Sequence, residues 1–202
     1  MMNQNTTRKG LSVRDLATIG IFTAVLFALT ILTGAITGPI PVLFLFSPAL
    51  FALLAGPMFM LIAAKVHKAG AILIPSLLIG ILWSLMGGIT VLAFMGVLGL
   101  IGEIIATKTK YNSFKSLVIV YVLFVAGYYL GSIGPIYFFT DWYIAEGIGA
   151  SGYDAAFVRS VVDTVLSWLS AVAIPATVAA AVGGAFFGRR LMRRHFEKAG
   201  IV

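Results

Sequence analysis

Few side chains in this chain could make or break a bond, and none stands in an arrangement that does so. With no cysteine there is no thiolate nucleophile, no disulfide and no Cys-based metal site, and the redox compartment stays open. His67 and His195 both fall in basic segments, without the His-Glu-x-x-His spacing of a membrane metalloprotease. Gly-x-x-x-x-Gly-Lys-Ser/Thr does not occur, so the chain has no cradle for a nucleotide phosphate, and Gly87-Gly88 and Gly183-Gly184 read as turns and close packing. No catalytic residue, metal or cofactor is expected, and no enzyme. What remains is the chemistry of recognition. Trp83, Tyr128, Tyr129, Ser132, Ser167 and Trp168 offer apolar faces with indole or hydroxyl groups, and Asp163 adds a carboxylate. Apolar walls with a few placed polar groups are what a small-solute site needs, so these seven are the candidate solute-binding residues.

Each candidate has a plainer reading beside it. Trp142, Tyr143 and Tyr137 suit an interfacial aromatic belt, whereas Tyr128 and Trp168 read as deeper, where a buried phenol or indole wants a partner. Asp163 is expected in the first turn of the last span, where a carboxylate either complements the helix dipole or touches a solute. Glu103, near the end of the fourth span, is either paired with Lys108 or a neighbouring basic loop, or turned toward a partner.

These residues must be positioned by helices that lipid dissolves. Of the 202 residues 60% are hydrophobic and 10% charged, with a mean hydropathy of +1.06, against roughly 25% charged in a soluble domain. A hydrocarbon core of about 30 Å needs about 20 helical residues, so the length allows roughly six crossings and no soluble domain. The runs are apolar on every face, which excludes the alternation of a membrane β-barrel. An all-α membrane protein of six transmembrane helices follows, at about residues 13–35, 42–64, 71–86, 90–107, 117–139 and 161–187. Pro39 and Pro41 break the chain after the first, Pro48 and Pro57 are expected kinks in the second, and the third and fourth are short enough that the bilayer must adapt. Residues 140–160 are expected to form the one long loop.

Charge orients the bundle. Apart from Arg159, all of the 14 Lys and Arg fall before the first helix or after the second, fourth and sixth. The positive-inside rule then makes both termini cytoplasmic, with residues 1–12 and the basic tail 189–202 flanking one membrane domain in the cell membrane. The net charge of +7 reflects this orientation and the attraction of the tail to anionic headgroups rather than nucleic-acid binding.

One local pattern points outside the chain. Gly20, Ala24 and Ala28 lie four apart on one face of the first helix, with Ala17 nearby, so another helix can approach closely there, whether the protein's own or a partner's. The segment Leu11-Ser12-Val13-Arg14-Asp15-Leu16 ahead of the Ala24/Ala28 pair, in a six-helix chain of this size, resembles the substrate-binding S components of energy-coupling factor (ECF) transporters, in particular the Trep_Strep or MptD-type group. The resemblance implies that this face docks on a transmembrane coupling protein driven by two cytoplasmic ATPases. It also implies that the chain captures a small solute, a vitamin-like or other micronutrient, on the outer side. The competing expectation is a self-contained secondary carrier, which would place coupling carboxylates or broken helices near the midplane.

Overall fold

The computed structural model describes residues 10–149 and 152–192. Arg8 and Lys9 before them, and Arg193, Arg194 and His195 after them, lie outside the described residues.

Helix α1 (Val13–Thr37) starts where Ser12 and Asp15 cap each other: the Asp15 N–H donates to Ser12 Oγ at 3.2 Å and the Ser12 N–H to the Asp15 carboxylate at 2.8 Å. Helix α2 (Pro41–Lys65) opens on proline, whose missing N–H is harmless in a first turn, and continues as one helix through the buried Pro48 and Pro57. Helix α3 (Leu73–Leu85) is followed by Gly87 at φ +90°, a conformation that suits glycine. Helix α4 (Ile89–Lys108) is followed by Lys110 and Tyr111, both at positive φ, and Ser113 caps α5 (Phe114–Ser132) by accepting from the Ser116 N–H. Helices α1, α2, α4, α5 and α9 (Leu169–Leu191) are long and apolar enough to cross a membrane. The apolar α3, with 13 residues, reaches about 20 Å.

The end opposite most of the basic residues departs from expectation. The fifth span stops at Ser132 rather than at 139, and Gly134-Pro135 opens a separate short helix, α6 (Gly134–Phe138), because proline cannot continue the hydrogen-bond ladder. The expected loop is largely helical: α7 (Thr140–Gly149) and α8 (Ala155–Leu166) fill most of it. In α8 the carboxylate of Asp154 accepts from the Phe157 N–H at 3.0 Å, and Val158, Val161, Val162 and Val165 form a buried face at helical spacing. The last span is therefore not one helix from 161 to 187. Ser167 is extended, α9 starts afresh at Leu169, and α8 packs on α2, α6 and α7.

The core sits around α2, which packs on α1, α5, α8 and α9. Phe51, Phe59, Tyr121 and Phe124 are fully enclosed, and the Tyr121 hydroxyl donates to the Ala52 carbonyl at 2.6 Å. The α2–α9 seam is built on glycine: a Cβ at Gly56 would run into the Gly184 backbone, and one at Gly188 would lie 2.9 Å from Pro57 Cα. Three contacts gather the basic segments at one end of the bundle. Lys68 Nζ lies 2.6 Å from the Asp15 carboxylate, Glu103 reaches the start of α3, and the Arg189 guanidinium stands 4.3 Å from the Phe114 ring centre. Among the described residues only Arg159, on α8, is a Lys or Arg away from that end.

Candidate functional site

Trp83 and Tyr128, 45 residues apart in sequence, meet inside the bundle. The half-buried Trp83 donates its indole N–H to Thr30 Oγ1 at 3.1 Å, and Thr30 donates onward to the Phe27 carbonyl at 2.7 Å. The buried Tyr128 ring lies 6.3 Å from Trp83 and 4.9 Å from Phe51, and Phe27 meets Trp83 edge-on at 6.3 Å. Residues of four helices, α1, α2, α3 and α5, thus gather in one cluster, in which the Thr30 hydroxyl takes the Trp83 indole N–H. Sequence reasoning missed Thr30. The signal was present, since Thr23, Thr30, Thr33 and Thr37 recur at helical spacing and form the buried polar face of α1.

Tyr129 follows Tyr128 by about 100° around the helix and belongs to a different neighbourhood. Its hydroxyl lies 2.9 Å from that of Tyr137, which lies 2.7 Å from Ser170 Oγ, and Ser170 donates to the Val165 carbonyl. Tyr137 is therefore tied into a hydroxyl chain across α5, α6 and α9. The Ser132 hydroxyl is used locally, donating to the Tyr128 carbonyl at 2.7 Å.

The remaining three candidates do not join either group. Asp163 is exposed on α8, near that helix's end rather than in the first turn of a span, and the cap is Asp154. Ser167 donates to the Thr164 carbonyl at 2.6 Å and accepts from the Leu169 N–H at 3.2 Å, which shapes the corner between α8 and α9. Trp168, expected at depth, is 74% exposed on that corner.

Glu103 is also placed differently from either expectation. One carboxylate oxygen accepts from the backbone N–H groups of Ile72 and Leu73 at 2.9 and 3.0 Å. The other accepts from the Thr107 hydroxyl at 3.1 Å and from the Tyr111 hydroxyl. A carboxylate here satisfies the orphan N–H groups at the positive end of α3. Burial, and next to it the Glu103 carboxylate, hold the Tyr111 hydroxyl above its usual range, so it keeps the proton it donates.

On the other side of α1 the chain leaves its small residues open. Gly20, Ala24 and Ala28 are all exposed, as is Ala17, and a Cβ at Gly20 would meet nothing within 4 Å. The exposed Ile21, Val25, Leu32 and Ile36 extend this apolar strip along the helix.

Long apolar helices gathered with one basic end define a multi-pass helical membrane protein. The chain belongs to the Trep_Strep family of hypothetical bacterial integral membrane proteins, whose family model matches residues 13–198. No match was found among curated proteins or among solved structures.

Proposed function

We propose that this chain is the substrate-binding subunit of an ATP-driven uptake transporter of the ECF type. It captures a small micronutrient-like solute on the outer side and docks through α1 on a transmembrane coupling protein, which two cytoplasmic ATPases drive. The observation that carries this reading is the open strip of Gly20, Ala24 and Ala28, which the described helices of the chain leave uncovered. In lipid, small residues on an exposed face favour close helix contact, because association there depends on van der Waals fit. The basic end faces the cytoplasm by the positive-inside rule, where the ATPases would lie.

The test is double. Ala24→Leu with Ala28→Leu is expected to abolish uptake by the full complex while the isolated chain stays folded and binds solute as before. Loss of folding would assign the strip to internal packing. Strong ATP-independent uptake by this chain alone in liposomes would favour the secondary carrier instead. Against that carrier, Glu103 already accepts from four donors and lies near the basic end rather than at the midplane.

For the solute, the convergence of Trp83, Tyr128 and Thr30 is the better-enclosed candidate. Trp83→Ala is expected to weaken binding by more than about tenfold, or about 1.4 kcal/mol. Trp168→Ala, on an exposed corner, is expected to change it by less than about twofold, or about 0.4 kcal/mol. Calorimetric titration of both variants measures this, and the reverse order would move the site to the α8–α9 corner.

A further inference from the structure

Helix α9 is held against α2 by glycines at 56, 184 and 188, all toward the basic end. Between α9 and α5 lies a cleft of about 210 Å³, walled by Val122, Ala126 and Tyr129 on one side and Ile174, Thr177 and Val178 on the other. The walls offer almost nothing to water. The Thr177 hydroxyl donates to the Ala173 carbonyl at 2.8 Å, and the Tyr129 hydroxyl is engaged with Tyr137. An apolar space of this kind is not a water site. It is also too small for an enclosed solute pocket, which runs about 300–1,000 Å³. Its edges are apolar and open: Ile174 and Val178 are 48% and 44% exposed, continuous with the lipid-facing surface.

Depth decides the occupant. Along α5 the cleft runs from Leu130, about 3 Å below that helix's end at Ser132, down to Val122, about 15 Å below it. Along α9 it runs from Ile174, about 7.5 Å below the start at Leu169, to Ala181, at about 18 Å. Measured from the helix ends opposite the basic end, most of that range falls within the roughly 15 Å of one leaflet of a core about 30 Å thick. We infer that the cleft is a binding site for one acyl chain of a phospholipid in the leaflet opposite the basic end. The acyl chain fills the apolar space that α5 and α9 leave between them.

The experiment uses the full chain in nanodiscs of phosphatidylcholine doped with a phosphatidylcholine that carries a photoreactive diazirine in its acyl chain. Adducts are mapped by peptide mass spectrometry. Residues 122–130 and 174–181 are expected to carry about tenfold more adduct per residue than the exposed face of α4 at residues 97–104, a preference of about 1.4 kcal/mol. Ala126→Phe, which fills the cleft from α5, is expected to bring that excess down to the α4 level. Val178→Phe does the same from α9 should the first variant fail to fold. Equal labelling on all three segments, labelling below α4 because a solute or another polypeptide occupies the cleft, or an excess that survives filling would each overturn the assignment.

Discussion

Glu103 illustrates what a single residue hides. In the sequence it is an acid near Lys108 at the end of an apolar run. In the fold its carboxylate takes donors from the start of α3, some 30 residues earlier, and from Tyr111. Hydrogen bonds to a charged group are worth about 1.5–3 kcal/mol, and leaving buried donors unpaired costs more than the mean bond suggests. Glu103→Ala is therefore expected to lower unfolding free energy by about 3 kcal/mol, and Tyr111→Phe by about 1 kcal/mol. The double variant should lose less than the sum, because the two side chains share one bond. Thermal unfolding of the purified chain in detergent measures all three, and additive losses would mean that Tyr111 and Glu103 act separately. The aromatic candidates were partly legible. Trp83 and Tyr128 do meet, whereas Trp168 does not join them, because the depth assigned to it assumed one unbroken last helix.

At the scale of elements, glycine and alanine do opposite jobs on different helices. In the α2–α9 seam Gly56, Gly184 and Gly188 are covered, and on α1 Gly20, Ala24 and Ala28 are open. Gly184→Leu must push α9 off the Ala52 and Leu53 carbonyls and is expected to cost about 3 kcal/mol or more. Gly20→Leu, with open space where its Cβ would stand, is expected to stay within about 0.5 kcal/mol of the parent when the chain is alone. Comparing melting midpoints of the two variants checks this, and an equally damaging Gly20→Leu would show that α1's open face is covered after all. Helix α8 has a signal of its own in Val158, Val161, Val162 and Val165, at spacings of three and four. With Arg159 and Asp163 inside it and only 12 residues long, α8 is too short and too charged to read as a membrane span. The early end of α5 had its own signal in Gly134-Pro135.

The whole molecule carries an asymmetry of charge that should be visible in cells. The chain has no cysteine, so single cysteines report without background. With the basic end in the cytoplasm, Tyr153→Cys is expected to react with a membrane-impermeant maleimide applied to intact cells, and Lys115→Cys only after the membrane is opened. Labelling in the opposite order would invert the topology and remove the cytoplasmic setting that the proposed ATPases require. The capping box at Ser12 and Asp15 and its ion pair with Lys68 belong to this scale as well, since they join the first helix to the turn between α2 and α3.

By itself the sequence determined that lipid is the solvent, that helices are the spanning elements, and which segments share the basic end. Each follows from local quantities, the apolar length against the bilayer and the sign of charge in the gaps, which need no knowledge of neighbours. Only the tertiary structure decided which face of α1 is open, that Thr30 is the partner of the Trp83 indole, that Glu103 caps α3, and that α9 leaves a cleft beside α5. Those depend on packing between segments far apart in the chain. When every face of a helix is apolar, hydropathy carries no direction, and only contact between helices says which side is inside.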